Sequence, residues 1–557
     1  MGGEAPPAAA AATVHGDTDD AVVSDCAVCM LNPRSVVFTA CGHSVLCQEC
    51  FERLLRAAAP KCPVCSTVVL PEPRAWLPLH KATALEPAAT FMPTAVNSEV
   101  AAAAAAAAAA LRQPDVADEL LELHAAAARG MAPPDGMLCR AAALGALDVV
   151  HVFIAELGAD PNGPDEAGAA PLHHAALGGH VDCARVLVEL GADVARRDND
   201  GNTALLYAAR RGRVDCVYAL AELGADVSCS ANDGETPLHR AAYVGHIDCV
   251  LALAELGASV ASLTNEGDSP LHWAAQGGEA DCARALVDLG ADVSCVASGG
   301  ATPLHLAAQE GNVDCARALV ELGADVACLT HRGKTPLHCA AQDGHVDCVY
   351  ALVELGANVG SAANDGDTPL HWAAHEGHVG CVRVLVEVGA SVSCTDNVGQ
   401  LPIHFAASNG HVDCVRALVE LGTDVSCSAN DGFTPLHCAA QDGQVECVRV
   451  LVSLGANVSC MTHEGETPLH WAAYGGCAAC SRALVELGAD DTSAAHNKVT
   501  PLHSAADRDH AECVRTLVEL GADVACAADD GETPLHFAAI HGHLDCAHAL
   551  VDLGATI

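Results

Sequence analysis

The sequence predicts a mainly α-helical solenoid, preceded by a small module that is rich in cysteine. Two observations predict the solenoid: a phrase close to TPLH recurs every 33 residues, and the apolar residues are mainly Ala, Leu and Val. Aromatic residues make up only 3% of the 557 residues, which suits closely packed helices better than a β-sandwich. A third observation, four close pairs of Cys or His early in the chain, predicts the small module.

The repeats occupy residues 131–557 and number about thirteen, counting a weaker first copy around Arg140. A cysteine follows ten residues after the TPLH position in each of the regular copies, and Leu206 stands where one histidine is missing. The histidines that keep the 33-residue period are His173, His239, His272, His305, His338, His371, His404, His437, His470, His503 and His536.

One unit shows why the repeat folds as a pair of helices. A turn at Gly234 precedes a helix that Thr236 caps and Pro237 starts. A second helix begins near Ile247 and ends at Gly257. Because one pair cannot bury its apolar face alone, neighbouring units must stack into a continuous core.

These residues resemble the ankyrin repeat, which has a 33-residue period and a TPLHxAA phrase. The resemblance covers about three quarters of the chain and implies that protein partners bind on a concave face of turn tips and first helices. It also implies that the TPLH histidine forms hydrogen bonds to the backbone of a turn and does not bind a metal. Leu206, Leu401 and Lys498 depart from the pattern at the histidine, capping and turn positions.

The thirty cysteines and the absence of a secretory signal indicate a reducing compartment, so we expect a cytoplasmic protein, with the nucleus as the other location. No apolar stretch is long enough to span a membrane. The periodic cysteines are interpreted as small buried hydrophobes. Disulfides between units are excluded, since neighbouring units are about 10 Å apart and a disulfide needs Cα atoms within about 7 Å.

The early module has the spacing C-x2-C-x11-C-x-H-x3-C-x2-C-x11-C-x2-C. Each Zn²⁺ takes four Cys or His ligands, so eight ligands predict two closed zinc sites. Consecutive sites are one arrangement, and the single-residue gap inside C-x-H favours interleaved ones. The ligands are Cys26, Cys29, Cys41, His43, Cys47, Cys50, Cys62 and Cys65.

This order of ligands resembles the RING finger, in which the first and third pairs hold one zinc ion and the second and fourth hold the other. The resemblance implies that Val28, Leu54 and Pro63 contact a ubiquitin-conjugating enzyme that carries ubiquitin. Ser66 stands where many active members have a basic residue. The module looks most like RING fingers of the inhibitor-of-apoptosis type, so a RING homodimer is also expected. The resemblance implies no nucleophile on this chain.

The sequence divides into five segments. Residues 1–22 are expected to be a disordered N-terminus, and residues 23–70 form the RING-type zinc finger. Residues 71–114 read as a linker rich in Pro and Ala. Residues 115–130 are predicted to form a helix that caps the array in residues 131–557.

Charge limits the partners of the array. The net charge of the chain is −44, and residues 131–557 carry −38 of it. Such a surface repels phosphate backbones, so we expect no nucleic acid and instead a protein substrate with a basic segment. The acidic candidates at the turns are Asp200, Asp233, Glu235, Glu266, Asp268, Asp365, Asp367, Asp431, Glu464, Glu466 and Asp530.

Side chains that vary between units are further candidates for the binding face. Trp273, Trp372 and Trp471 are 99 residues apart, which indicates duplication of three-unit blocks or, alternatively, three aromatic anchors. The other variable positions are Arg210, Arg211, Tyr243, Gln309, Glu310, His375, Glu376 and Tyr474.

Together these features predict a RING-type E3 ubiquitin-protein ligase. The RING finger would recruit the conjugating enzyme, and the ankyrin array would bind the substrate protein. The alternative is a non-enzymatic ankyrin scaffold or adaptor whose zinc module serves only for dimerisation.

Overall fold

A computed structural model describes residues 136–556 together with Ala125. Within the described residues the secondary structure is helical, with twenty-six α-helices in thirteen pairs and no strand. The predicted fold class, a mainly α-helical repeat array, is confirmed. The predictions for residues 1–22, 23–70 and 71–114, and those for 115–130 apart from Ala125, lie outside the described residues.

Each pair consists of a first helix and a second helix. The first helices are α1 (Met137–Ala143), α3 (Pro171–Gly178), α5 (Ala204–Arg210), α7 (Pro237–Val244), α9 (Pro270–Gly277), α11 (Pro303–Gln309), α13 (Pro336–Gln342), α15 (Pro369–Glu376), α17 (Pro402–Ser408), α19 (Pro435–Gln441), α21 (Pro468–Tyr474), α23 (Pro501–Asp507) and α25 (Pro534–His541). The second helices are α2 (Leu147–His151), α4 (Val181–Glu189), α6 (Val214–Glu222), α8 (Ile247–Glu255), α10 (Ala280–Asp288), α12 (Val313–Glu321), α14 (Val346–Glu354), α16 (Val379–Glu387), α18 (Val412–Glu420), α20 (Val445–Ser453), α22 (Ala478–Glu486), α24 (Ala511–Leu520) and α26 (Leu544–Asp552). Helix α2 continues into a π-helical turn, Val152–Glu156.

Small residues let the helices of neighbouring units pack closely. First helices pack on first helices, and second helices pack on second helices. Leu238 and Ala241 of α7 are fully buried, as are Cys249 and Leu253 of α8. Burying one leucine side chain contributes about 1.5–3 kcal/mol, and the same set of residues recurs in each regular unit.

The periodic cysteines belong to this core. Cys249 is fully buried, and burial raises the pKa of its thiol to about 12. The thiol is therefore neutral at physiological pH and packs as an apolar group, as predicted.

The histidine of each TPLH phrase bridges two units. Nδ1 of His239 accepts a hydrogen bond from the backbone N–H of Thr236, at 3.2 Å. Its Nε2–H donates to the backbone carbonyl of Asp268 in the next unit, at 3.0 Å. The same bond to the next unit recurs from His173 through to His503, with Leu206 in place of one histidine. The predicted backbone role of this histidine is confirmed.

The turn tips are joined by a second series of backbone hydrogen bonds. The N–H of Asn232 donates to the carbonyl of Asp200, and the N–H of Asn265 donates to the carbonyl of Asp233, both at 2.9 Å. Equivalent bonds continue along the array to Asp529. Because the backbone holds the tips together, the tip side chains are left free to vary.

The three departures from the repeat pattern are accommodated locally. Leu206 is buried at the histidine position. A histidine there would reach the backbone carbonyl of Glu235, which accepts a hydrogen bond from the N–H of Ala231 at 2.8 Å. Leu401 keeps the backbone bond to its histidine but lacks the capping hydroxyl. Lys498 occupies a left-handed turn position, with φ of 57°.

We expect His239→Leu to destabilise the array and to make its stability less dependent on pH. Burial lowers the pKa of His239 to about 4, against 6.5 for an exposed histidine. The unfolded chain therefore takes up a proton that the folded chain does not. The stability that this histidine contributes is present above pH 6.5 and is lost as the pH falls towards 4. At pH 7.5 the substitution should cost about 1–3 kcal/mol, because two buried hydrogen bonds disappear.

The measurement is urea unfolding followed by circular dichroism at several pH values between 4 and 7.5. His536→Leu is the matched control, because His536 is exposed and bonds to Thr533 of its own unit. An unchanged pH slope in the His239 variant would contradict the role assigned to the buried ring.

Lys498→Gly should stabilise the array by up to about 1 kcal/mol, because glycine adopts a left-handed conformation without strain. The ion pair that Lys498 forms with Asp529, at 2.7 Å, is exposed, and its loss should cost little. Thermal unfolding should show a raised midpoint, whereas Lys498→Ala, which loses the charge but keeps the strain, should not. Equal midpoints for the two variants would argue against strain at this turn.

Candidate functional site

The zinc ligands and the predicted contacts of the conjugating enzyme all lie outside the described residues, so they stay predictions. They are Cys26, Val28, Cys29, Cys41, His43, Cys47, Cys50, Leu54, Cys62, Pro63 and Cys65. The functional surface that the structure does describe is on the repeat array.

The exposed turn carboxylates form a surface that we call the tip face. Each one lies next to a turn glycine, and the backbone bonds between tips hold it at a regular interval. Asp365, for example, accepts the backbone N–H of Asp367 through Oδ1 at 3.1 Å and remains exposed. The members of the tip face are Asp200, Asp233, Glu266, Asp365, Asp431, Glu464 and Asp530.

Two acidic residues predicted to be on this surface are buried instead. Glu235 is 7% exposed and Asp367 is 9% exposed. Each directly precedes a capping threonine, so its side chain lies beneath the tip. Asp268 and Glu466, at the same position of other units, are half-buried.

Burial raises the pKa of both buried carboxyl groups, to about 7 for Glu235 and about 6 for Asp367. Cations partly offset this effect: Arg240 forms an ion pair with Glu235, and Lys334 lowers the pKa of Asp367. Arg240 and Lys334 are not among the site residues predicted from the sequence. The signal that could have found Lys334 is its register, since it occupies the position of Glu235 three units later.

The variable positions on the first helices are mostly accessible. His375 and Tyr474 are half-buried. The exposed ones are Arg210, Arg211, Tyr243, Gln309, Glu310 and Glu376. Together with the tip face they offer varied side chains on a regular scaffold.

The three tryptophans are half-buried and pack across the boundary with the preceding unit. Trp273 makes an edge contact with Tyr243, with ring centroids 5.5 Å apart. Nζ of Lys334 lies 3.3 Å from the ring centroid of Trp372, and Phe433 packs against Trp471 at 4.6 Å. Each indole therefore fills an inter-unit gap, which favours the duplicated block over free aromatic anchors.

The second helices neutralise much of their own charge. Arg185 pairs with Glu222 of the next unit at 2.6 Å, and Arg317 pairs with Glu354 at 2.6 Å. Similar pairs recur along the array. Each exposed pair contributes about 0–1 kcal/mol to stability. The tip face has no comparable series of arginines in the described residues, so its carboxylates are not paired with arginines in this way.

The described part of the chain offers binding chemistry more than catalytic chemistry. Its buried TPLH histidines, such as His239, are engaged in backbone hydrogen bonds, and burial lowers the pKa of His239 to about 4. Within this part, no group of three or more His, Cys, Asp or Glu is arranged to hold a metal ion. Among its helices, none is both long enough and apolar enough to cross a membrane.

Two family models match the chain. The model for ankyrin repeats in sets of three copies matches eight overlapping stretches that together span residues 137–557. The model for the C3HC4-type zinc finger, the RING finger, matches residues 23–70. A RING finger implies zinc binding.

Curated relatives match only a short stretch. The RNA-binding protein MEX3B of Mus musculus is 40% identical over 45 residues, which is 8% of this chain and 8% of that protein. The RNA-binding E3 ubiquitin-protein ligase MEX3C of Mus musculus and of Homo sapiens is 38% identical over 45 residues, which is 8% of this chain and 7% of that protein. The chain thus spans far less than two thirds of these relatives.

The ankyrin model covers well over half of the sequence, and the helix pairs of the described residues have the matching 33-residue period. The chain therefore belongs to the ankyrin-repeat family and carries a RING finger of the C3HC4 type at residues 23–70.

Proposed function

We propose that the protein is a RING-type E3 ubiquitin ligase whose ankyrin array binds the substrate. The observation that carries this proposal is the complete set of seven cysteines and one histidine within residues 23–70. A relative over a short stretch is itself named as an E3 ubiquitin-protein ligase, which supports the proposal. In addition to the RING finger, the chain has a repeat array whose acidic tip face supplies a surface for a protein partner.

The donor set fits zinc, because thiolate and imidazole ligands in fours suit its tetrahedral geometry. Two ions would be held, and both sites are closed, so their role is to fold the module. In the interleaved arrangement Cys26, Cys29, Cys47 and Cys50 hold one ion. The second ion is held by Cys41, His43, Cys62 and Cys65.

The RING finger contributes proximity rather than a nucleophile. Val28, Leu54 and Pro63 would form an apolar groove for the ubiquitin-conjugating enzyme. The ankyrin array would hold a lysine of the substrate near the loaded enzyme, which converts a bimolecular encounter into an oriented one. In many active RING fingers, a basic residue at the position of Ser66 contacts ubiquitin. Because serine cannot make that contact, the second copy in a RING homodimer would supply it.

The substrate segment would be basic. The tip face presents carboxylates at seven turn tips, three of them in consecutive units, and arginines of the second helices are engaged with glutamates. An extended segment rich in Lys and Arg is the partner whose charge complements this arrangement.

The second candidate is a non-enzymatic adaptor, in which the zinc module only dimerises. Ser66 favours this alternative, because many active RING fingers have a basic residue after the last zinc ligand and this chain has a serine there.

The full-length protein is expected to accelerate the discharge of ubiquitin from a loaded conjugating enzyme onto free lysine. Val28→Ala should reduce this rate about tenfold, because an apolar anchor of an interface contributes on the order of 1–2 kcal/mol. Cys26→Ser should abolish the activity and reduce the zinc content from two ions per chain. Gel-based discharge assays and elemental analysis provide the two measurements.

Tyr243→Ala is the control, since Tyr243 is exposed on the array and should not affect discharge. If no member of a broad panel of conjugating enzymes is accelerated, the ligase proposal fails and the adaptor alternative stands.

Binding of a model peptide rich in Lys and Arg should depend on the tip face. The triple variant Asp365→Asn, Asp431→Asn and Glu464→Gln should weaken binding roughly fivefold or more at low salt, and 0.5 M salt should remove most of the difference. Asparagine keeps the oxygen that Asp365 and Asp431 offer to backbone N–H groups. Fluorescence anisotropy at two ionic strengths is the measurement.

A variant that removes the same charge elsewhere tests whether the position matters. Asp314→Asn, Asp347→Asn and Asp413→Asn neutralise three exposed carboxylates of the second helices. Equal weakening by both triple variants, or affinity that does not change with salt, would contradict a binding site at the tips.

A further inference from the structure

The residue before each second helix usually connects that helix to the preceding unit. Nε2 of His411 hydrogen-bonds the carbonyl of His375 at 2.9 Å, and Nε2 of His510 hydrogen-bonds the carbonyl of Tyr474 at 3.0 Å. Gln444 reaches the carbonyl of Ser408 in the same way, at 3.1 Å. Before α22 this position is Cys477, whose short side chain points its sulfur at its own helix instead.

Cys477 and Cys480 are paired across the first turn of α22. The sulfur of Cys477 accepts the backbone N–H of Cys480 at 3.1 Å. Cys480 is the fully buried periodic cysteine of this unit, whereas Cys477 is half-buried. Gly443 of the preceding unit leaves room beside the outer sulfur, since a Cβ there would lie 3.7 Å from it. The spacing is therefore C-x-x-C at the N-terminus of a nine-residue helix.

This arrangement differs from that of the disulfides excluded between units. Periodic cysteines of adjacent units are separated by a helix diameter, roughly 10 Å. Cys477 and Cys480 are three residues apart at the start of one helix, where residues at this spacing are neighbours on one face, and the sulfur of Cys477 already contacts the backbone N–H of Cys480.

The environment makes the outer thiol of the pair more acidic than the inner one. Hydrogen bonds from the Cys480 side chain and from the N–H groups of Cys480 and Ala479 lower the pKa of Cys477 to about 6. The same contact and burial raise the pKa of Cys480. The neighbouring Cys513 of the next unit stays neutral, because burial raises its pKa to about 12. A low-pKa thiolate at a helix N-terminus beside a second thiol is the arrangement of reactive dithiols.

The other half-buried cysteines provide the contrast. Cys295 and Cys460 hydrogen-bond a capping hydroxyl, and burial raises the pKa of both. Burial also raises the pKa of Cys427, to about 12. These cysteines are half-buried like Cys477, but their thiols are not made more acidic. Cys477 differs from them because it lies at a helix N-terminus and has Cys480 as its partner.

We infer that Cys477 and Cys480 form a redox-sensitive modification site that closes to an intramolecular disulfide when it meets hydrogen peroxide. The Cys477 thiolate attacks one peroxide oxygen and the O–O bond breaks, which leaves a sulfenic acid and, after protonation, one water. The Cys480 thiol then attacks the Cys477 sulfur, loses its proton and displaces a second water. Two thiols thereby give up two electrons to one peroxide, and a cellular thiol reductant would restore them.

The site is tested in the full-length, zinc-loaded protein by alkylation with iodoacetamide between pH 5 and 9, read out by peptide mass spectrometry. Cys477 should reach half of its maximal reactivity near pH 6 and should react at pH 7 at least about tenfold faster than Cys295, Cys427 and Cys460. After treatment with peroxide, the same peptides should show a Cys477–Cys480 disulfide.

Two variants separate the steps. In Cys480→Ala, Cys477 should accumulate as sulfenic acid that dimedone traps, because the resolving thiol is missing. Gln444→Cys should give a second dithiol with Cys447 before α20, because it repeats the spacing in the preceding unit. Circular dichroism checks that both variants fold.

Two results would overturn the inference. One is alkylation of Cys477 with the pH profile of Cys295. The other is peroxide oxidation that links Cys477 to Cys513 or to no cysteine, while Cys480 stays reduced.

Discussion

A buried histidine in the first turn of most first helices is the constraint on which the array depends. One ring accepts the capping N–H of its own unit and donates to a backbone carbonyl of the next unit. These two bonds require a neutral ring, and burial maintains it by lowering the pKa. Because each bond joins consecutive units, the stability of one unit depends on its neighbours, which makes the array a chain of nearest-neighbour contacts.

Close stacking follows from the small residues around this histidine. Alanine and cysteine in the core let helices approach, and leucine supplies most of the largest fully buried side chains. Backbone bonds join the tips from unit to unit, and tip aspartates such as Asp365 and Asp431 accept a backbone N–H of their own turn while remaining exposed. Their carboxylates add to the acidic surface of the array. On the second helices, arginines pair with glutamates of the next unit, whereas the tip face has no such series in the described residues.

The proposed ligase assigns binding and transfer to different parts of one chain. The array would hold the substrate on a surface whose scaffold tolerates variation, and the zinc-stabilised RING finger would hold the conjugating enzyme. Neither task needs a covalent intermediate on this protein. The dithiol of α22 adds a separate chemistry, because one departure from the repeat at Cys477 turns a core cysteine into half of a reactive pair.

The sequence by itself determined the period, the order of the helices and their caps, because those depend on local spacing that recurs in the regular units. The resemblance to the ankyrin repeat implied the backbone role of the histidine. The sequence also predicts eight zinc ligands for the RING finger from their order and spacing. Only the tertiary structure decided that Glu235 and Asp367 are buried, that the tryptophans fill gaps between units, and that Cys477 faces Cys480. The physical reason is that exposure and ionisation depend on side chains about 33 residues away, which local spacing does not specify.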